Sequence, residues 1–176
     1  MADGISFDVS GLDGIKEKMA LLKHETNYRA GRAALRRAAQ VLKEQAQSNA
    51  RRFDDHETDE QIWKNIDIRW NGRVFKANGN LGFRVGVLGG ARQYAATREN
   101  ARKRRVGATY ATGGDKSNPG GDTWYWRFKE FGTSRVAAKP FLRPVADQAG
   151  QKAIDAFALH FNRALDRALS QTKKGK

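Results

Sequence analysis

The chain has 176 residues, of which 33 are Lys or Arg and 19 are Asp or Glu, so its formal net charge is +14. It contains no cysteine, which excludes disulfides, thiolate metal sites and a cysteine nucleophile. No apolar run approaches the roughly 18 residues that a membrane-spanning helix needs, and the polar start, Met-Ala-Asp-Gly-Ile, is unlike a signal peptide. We therefore expect one domain over residues 1–176, with no membrane partner.

The positive charge is concentrated in the second half of the chain. Residues 101–150 hold ten basic and four acidic residues, and residues 151–176 hold six and two. Two basic runs account for much of this excess, Arg102-Lys103-Arg104-Arg105 and a C-terminal tail over residues 171–176. One acidic block, at residues 54–60, has the opposite sign. Runs of one sign are typical of solvated loops or of contact surfaces.

Two helices are predicted in the first third of the chain. Within residues 12–23, apolar side chains recur at steps of three and four, which is typical of one helical face. Residues 26–52 are rich in Ala and begin with Thr26, a favourable N-cap residue. The small Ala side chains let this second helix approach a sheet or another helix closely.

The hydrophobic pattern then changes to a period of two. Residues 66–70 alternate between apolar and polar side chains, as do residues 81–87, and both predict half-buried strands. Asn71-Gly72 lies between them and is a typical turn sequence. We expect these two strands to be antiparallel.

An inserted basic arm is predicted over residues 89–121, where Gly and Pro are frequent and apolar residues are scarce. Within it, residues 91–105 favour a short basic helix. Residues 123–131, Thr-Trp-Tyr-Trp-Arg-Phe-Lys-Glu-Phe, have high β-propensity and predict a third strand with aromatic side chains on both faces.

The last helix has the clearest amphipathic pattern in the sequence. Pro144 is a suitable first residue, and the helix is expected to end near residue 170. The apolar residues step by three and four: Ile154, Phe157, Ala158, Phe161, Leu165 and Leu169.

This element order predicts an α+β fold. We expect a small antiparallel sheet of about three to four strands. N-terminal helices and a long C-terminal helix would pack on it, and the basic arm would be inserted between strands.

The sequence offers little for catalysis. Three histidines, His24, His56 and His160, match no metal-ligand spacing, and no Gly-rich phosphate loop is present. The carboxylates within residues 54–59, or Glu130 in the aromatic segment, are the candidates for a hydrolase. A polar loop and a salt bridge with a neighbouring Arg or Lys are the structural alternatives. We expect no enzyme activity, no catalytic residue, no metal and no cofactor.

The charge and the aromatic residues favour contact functions. Arg102, Lys103, Arg104 and Arg105, with Tyr94 and Tyr110 nearby, would suit phosphates and stacked bases, although no sequence-reading motif is present. A basic arm equally suits an acidic protein partner. The aromatic segment 124–131 is richer in large side chains than a small sheet can cover, which favours a homo-oligomer.

Two short motifs make the sequence more specific. Glu130-Phe131-Gly132-Thr133, followed by Ala138-x-Pro140-Phe141-Leu142-Arg143-Pro144, resembles the signature of a tailed-phage family, the HK97-type neck or tail-completion (head–tail joining) proteins. About 20 residues carry this resemblance. Val145 stands where the family usually has Ala, and the arm at residues 89–121 is an insertion relative to the family pattern.

The resemblance implies a structural virion protein that forms a homo-oligomeric ring, most often a hexamer, around the DNA channel. Implied partners are the head-completion or connector proteins, the tail terminator and the tail tube, with non-specific contact to channel DNA. The implied location is the virion neck, and the host cytoplasm during assembly. The alternatives are a tail terminator of the same connector region and a non-specific nucleic-acid-binding protein.

The motif residues also have expected structural or interface roles. Gly132 would permit a turn that a Cβ hinders. Pro140 and Pro144 would fix the entry to the last helix, which Phe141 and Leu142 would anchor to the sheet. Arg143 would pair with Glu130 or with a neighbouring subunit.

Overall fold

The computed structural model describes residues 13–22, 24–52, 60–112 and 116–174. The chain divides into two compact units: Met1–Gln45, Ile68–Val85 and Pro144–Lys176 form the first, and Ala46–Asp67 and Gly86–Arg143 form the second. That the whole chain is one domain stays a prediction.

The described residues form helices and short strands, which confirms the predicted α+β class. In chain order the elements are α1 (Asp13–Ala20), α2 (His24–Arg51), a 3-10 turn (Ile62–Asn65), β1 (Ile66–Trp70), α3 (Gly72–Asn78), β2 (Phe83–Val87), β3 (Gly90–Gln93), α4 (Arg98–Arg102), β4 (Thr109–Thr112), α5 (Trp126–Phe131) and α6 (Val145–Lys174).

The single sheet of three to four strands is not confirmed. The described strands instead form two separate pairs, β1 with β2 and β3 with β4. The first pair is antiparallel, because Asn71 N–H donates to Gly82 O (2.9 Å) at one end and Leu88 N–H donates to Asn65 O (2.7 Å) at the other. The second pair belongs to the arm.

The core of the first unit forms among α1, α2 and α6. Its buried side chains are Ile15, Ala30, Ala34, Phe161 and Leu165. Lys18 of α1 reinforces this packing, because its Nζ lies 2.7 Å from Asp166 Oδ1 and 3.3 Å from Asn162 Oδ1. Gly31 keeps α2 close to its neighbours, since a Cβ there would lie 3.3 Å from Leu81 Cδ1.

An aromatic group in the same unit joins α2, β1, α3 and β2. The Trp70 ring centroid lies 5.5 Å from that of Phe75 and 5.2 Å from that of Phe83, and Tyr28 also contacts Phe75 at 5.5 Å. The Arg32 guanidinium lies 4.6 Å from the Trp70 ring centroid. Such contacts bury aromatic surface without large aliphatic side chains.

Asn71-Gly72 begins a helix and does not form the predicted tight turn. The Asn71 side chain accepts a hydrogen bond from Val74 N at 3.5 Å, and α3 ends at Gly79, whose φ is 74°. Asn is as favourable at a helix N-cap as in a turn, and Gly ends helices in the left-handed conformation. The same local signals therefore suit a helical connection between the two strands.

The two long helices are close to their predicted positions. Helix α2 begins at His24, so Thr26 lies inside its first turn and is not its N-cap. Helix α6 begins at Val145, one residue after the predicted first residue Pro144, and continues beyond the predicted end near residue 170 to Lys174. The predicted basic tail over residues 171–176 therefore starts within a helix.

Asn65 is the polar centre of the second unit and is completely buried. Its Nδ2 donates to Gly121 O (2.9 Å) and Thr123 Oγ1 (2.8 Å), and its Oδ1 accepts from Gly120 N (2.7 Å). Gly120 is required here, since a Cβ would lie 2.0 Å from Gln61 O. The amide of Asn65 thus fixes the chain that enters α5.

The predicted third strand is wrong, because residues 126–131 form the helix α5. In a helix, Trp126 and Glu130 are one turn apart and share a face, whereas Phe128 and Phe131 fall elsewhere. Trp126 packs on Phe141, with ring centroids 6.4 Å apart, and Glu130 is buried. Tertiary contacts of these two residues therefore override the β-propensity of the segment.

The basic arm is folded as a hairpin with a short helix near its tip. Strands β3 and β4 are antiparallel, with Gly90 opposite Thr112 and Gln93 opposite Thr109. The helix predicted over residues 91–105 is limited to α4, whose N-cap Thr97 accepts a hydrogen bond from Asn100 N at 3.2 Å.

We expect the replacement Leu165→Ala to lower the free energy of unfolding by about 2–5 kcal/mol, because it leaves a cavity in the core of the first unit. Leu165 is 0% exposed, and Leu159 on the same helix is 49% exposed. Leu159→Ala is the matched control and should change stability by less than about 0.5 kcal/mol. Urea denaturation followed by circular dichroism measures both, and equal effects would contradict this packing.

Candidate interaction surface

The carboxylate of Glu130 binds three successive backbone amides. Its side chain is 1% exposed and lies at the end of α5. Oε2 accepts from Phe141 N at 2.7 Å and from Leu142 N at 2.9 Å, and Oε1 accepts from Arg143 N at 3.0 Å. Successive N–H groups that converge in this way form a concave anion-binding site in many proteins. Here the anion is a side chain of the same chain.

Arg143 adds two further contacts to Glu130. Its Nε donates to Glu130 Oε1 at 3.3 Å, and its Nη2 donates to the Glu130 backbone oxygen at 2.6 Å. Of the two predicted alternatives for Arg143, a pair with Glu130 or with a neighbouring subunit, the structure shows the pair with Glu130. We refer to Glu130, Phe141, Leu142 and Arg143 as the Glu130 clasp.

The two prolines fit the donor pattern of this segment. Lys139 N donates to Lys129 O at 2.7 Å, and the next three available N–H groups bind Glu130. Pro140 and Pro144 have no N–H. Each proline therefore removes a donor that would otherwise need a partner in this segment.

Phe141 fixes the clasp to its surroundings. Its side chain is 1% exposed and meets Trp126 edge-on, and its backbone oxygen accepts from Asn49 Nδ2 at 3.2 Å. Leu142 is only half-buried. The ring of Phe141 therefore packs on α5, where the sequence led us to expect anchoring of the last helix to a sheet.

Gly132 ends α5 in a conformation that side chains disfavour. Its φ is 75° and its ψ is −179°, a region occupied almost only by glycine. A Cβ at this position would lie 2.8 Å from Ala138 N and 3.0 Å from Val136 O. The predicted role of Gly132 in a turn is confirmed. Thr133 closes the next turn, where its Oγ1 accepts from Arg135 N and Val136 N at 3.2 and 3.0 Å.

Large apolar side chains are exposed beside the clasp. Trp124, Phe128 and Phe131 are 48%, 49% and 57% exposed, and Val136 is 53% exposed. The three aromatic residues follow the spacing i, i+4, i+7, and the rings of Trp124 and Phe128 touch edge-on with centroids 5.8 Å apart. We call Trp124, Phe128 and Phe131 the aromatic stripe.

The segment that bears the aromatic stripe is positively charged. Residues 122–143 contain two acidic residues, Asp122 and Glu130, of which Glu130 is buried. The Arg143 guanidinium lies 5.3 Å from the Phe131 ring centroid. The basic residues of the segment are Arg127, Lys129, Arg135, Lys139 and Arg143.

The geometry weighs against Glu130 as a catalytic group. Both of its carboxylate oxygens accept hydrogen bonds, and its side chain is inaccessible to a substrate. The acidic candidates at residues 54–59 lie outside the described residues. Within the described part of the chain, no cluster of three or more His, Asp or Glu could hold a metal ion. No described helix has the length and apolarity needed to cross a membrane.

The basic block of the arm lies at the end of α4 and in the turn after it. Lys103 Nζ lies 2.7 Å from Glu99 Oε1, and Arg105 Nη2 lies 3.7 Å from the same oxygen. Arg102, Lys103 and Arg104 are all exposed, but Arg102 and Arg104 form no ion pair with a residue that the structure describes. The four residues are therefore not equivalent.

Comparisons with protein families, with curated proteins and with solved structures found no match to this chain.

Sequence reasoning missed the two buried asparagines, Asn49 and Asn65. They hold Phe141 O and the segment 120–123, respectively. Neither residue belongs to a motif, and Asn is common in exposed turns, so no local pattern indicates their burial. The helical spacing of Trp126 and Glu130 was the available signal for α5.

We expect Glu130→Gln to lower the free energy of unfolding by about 2–5 kcal/mol. A Gln side chain keeps one oxygen, so in either orientation its NH₂ group faces two N–H donors that lose their acceptor, each at a cost of about 1–3 kcal/mol. Glu17→Gln, the same change at an exposed position of α1, should shift stability by less than about 0.5 kcal/mol. Chemical denaturation measures both variants; a wild-type stability for Glu130→Gln would rule out the clasp.

Gly132→Ala should destabilise the protein by about 2–4 kcal/mol, through backbone strain and overlap with the backbone at residues 136–138. Gly86→Ala is the matched control, because nothing lies within 4 Å of a Cβ at Gly86. That control should be neutral or slightly stabilising. Thermal melts of the two variants give the comparison, and a neutral Gly132→Ala would contradict the positive φ.

Proposed function

We propose that this chain is a structural subunit of a tailed-phage neck, a tail-completion or head–tail joining protein that assembles into a homo-oligomeric ring around the DNA channel. The main support for this proposal is the aromatic stripe, because it exposes aromatic residues, which are enriched at protein interfaces, directly beside the signature motif. The proposed family and the proposed hexameric state both come from the resemblance of the motif to the tailed-phage signature. Connector, tail terminator and tail tube proteins are the proposed partners, and the virion neck is the proposed location.

The motif residues separate into two groups that suit this function. Glu130, Gly132, Phe141 and Arg143 hold the local fold through the contacts of the clasp and the turn. Phe131 belongs to the same motif, yet it is 57% exposed. A large exposed aromatic residue within an otherwise structural motif is typical of a contact residue.

A second copy of the chain is the proposed occupant of the aromatic stripe. The stripe lies in a basic segment, and the acidic block at residues 54–60 places five carboxylates within seven residues. In sequence, this block has the charge opposite to that of the basic segment. Opposite charges at a subunit contact would offset the repulsion between subunits of charge +14.

The apolar area of the aromatic stripe gives its contribution to the free energy of association. Three half-exposed aromatic side chains present roughly 300 Å² of apolar surface. Burying this area is worth about 7 kcal/mol, within the range of about 4–15 kcal/mol that association costs in lost freedom. We therefore expect self-association to depend on protein concentration and to need contacts beyond the stripe.

Multi-angle light scattering over a range of protein concentrations tests this proposal. We expect the wild-type mass to rise toward that of a closed oligomer, alone or when a connector or tail tube protein is added. Phe128→Ser/Phe131→Ser should weaken association at least about tenfold, since interface aromatics contribute about 1–2 kcal/mol or more each. Raising the ionic strength should weaken it as well.

Leu159→Ser is the matched control, because Leu159 is about as exposed as Phe128 but lies on α6. It should leave association unchanged. A wild-type protein that stays monomeric and binds neither the connector nor the tail tube protein would overturn the proposal. If Phe128→Ser/Phe131→Ser and Leu159→Ser weaken self-association equally, the aromatic stripe is not the contact surface.

A further inference from the structure

The basic arm divides its charges between internal contacts and free surface. Lys103 and Arg105 both pair with Glu99. The Arg105 guanidinium also lies 4.4 Å from the Tyr94 ring centroid, and its Nε donates to Asn100 Oδ1 at 2.9 Å. Both cations therefore already have partners within the arm.

Three other arginines of the arm have no such role. Arg98, Arg102 and Arg104 are exposed, and none of them is ion-paired with any residue that the structure describes. Arg98 and Arg102 are one turn apart on α4, so they share a face. Glu99 is the one acidic residue in the sequence from 90 to 112, and Lys103 and Arg105 already neutralise it.

The arm exposes little of the apolar surface that is typical of a protein–protein interface. The cores of protein–protein contacts are largely apolar and are enriched in aromatic residues, Met and Arg. Among the described side chains of residues 94–108, Val106 is the one exposed large apolar residue. Contact with nucleic-acid phosphates needs cations and no apolar anchor. The arm therefore suits a nucleic-acid partner, whereas the aromatic stripe suits a protein partner.

The arm also lacks a free stacking platform at Tyr94. That ring is half-buried and is covered on one face by Arg105. Proteins that prefer single strands stack bases on exposed aromatic side chains. Among the described side chains of the arm, cations without an exposed stacking ring favour the duplex, where the phosphate charge density is high, and they give no sequence preference.

We propose that Arg98, Arg102 and Arg104 form a binding site for the phosphate backbone of duplex DNA, and that Lys103 and Arg105, which pair within the arm, are not part of it. This site belongs to a single copy of the chain. It therefore goes beyond the proposed ring and does not depend on it.

Fluorescence anisotropy with a labelled duplex of mixed sequence, measured over a series of salt concentrations, tests the site. Each lost phosphate contact lowers the slope of log affinity against log salt by about 0.9. We expect Arg102→Gln to lower the slope by about 0.9 and Arg102→Gln/Arg104→Gln by about 1.8. Lys103→Gln removes the same charge from the adjacent position and should leave the slope unchanged.

A second control removes two charges elsewhere. Arg163→Gln/Arg167→Gln acts on an exposed part of α6 and should also leave the slope unchanged. If Arg102→Gln and Lys103→Gln lower the salt slope equally, the proposed difference between these two residues is wrong. No duplex binding at low salt, or tighter binding of a single strand of equal length, would overturn the duplex site.

Competition with polyglutamate distinguishes an acidic protein partner from DNA. If Arg102→Gln/Arg104→Gln weakens polyglutamate binding and leaves duplex affinity unchanged, the arm is a protein contact and the proposal is wrong. Light scattering of the same variant separates this site from ring formation. Self-association should be unaffected, so loss of DNA binding and loss of assembly are independent results.

Discussion

The geometry of residues 126–143 depends on the buried carboxylate of Glu130. Three consecutive N–H groups point inward at residues 141–143, and the carboxylate satisfies them together with the Arg143 side chain. Without an acceptor each buried donor would cost about 1–3 kcal/mol, which is large relative to the stability of a small protein. One side chain thereby connects the end of α5 to the segment that leads into α6.

The exposure of the aromatic stripe follows from this constraint. Burial of Glu130 fixes which face of α5 points inward, and Trp126, one turn earlier, lies on that face and packs on Phe141. Phe128 and Phe131 are then directed away from it. Their exposure is a consequence of the helical phase that Glu130 sets, and it requires no separate explanation in terms of loose packing.

The sequence was most informative where local and tertiary preferences agree. The periodicity of α2 and α6, the alternation in β1 and β2, and the pairing of Glu130 with Arg143 were all predicted. The prediction failed where the same residues suit two structures. Asn71-Gly72 is compatible with a turn and with a helix start, and residues 126–131 have β-propensity but form a helix around two buried contacts. The buried amide of Asn65 depends on a segment more than 50 residues away, and no local pattern encodes such a contact.

The net charge of +14 is divided between basic groups that contact other side chains of the chain and basic groups that do not. Several guanidinium groups lie over aromatic rings: Arg32 on Trp70, Arg51 on Trp63, Arg105 on Tyr94 and Arg143 on Phe131. Arginine suits this use because its planar group stacks on rings while its stem covers apolar surface. A guanidinium on a ring keeps its charge but is restrained in position, whereas Arg102 and Arg104 form no ion pair or ring contact with the described residues and can adjust to a partner.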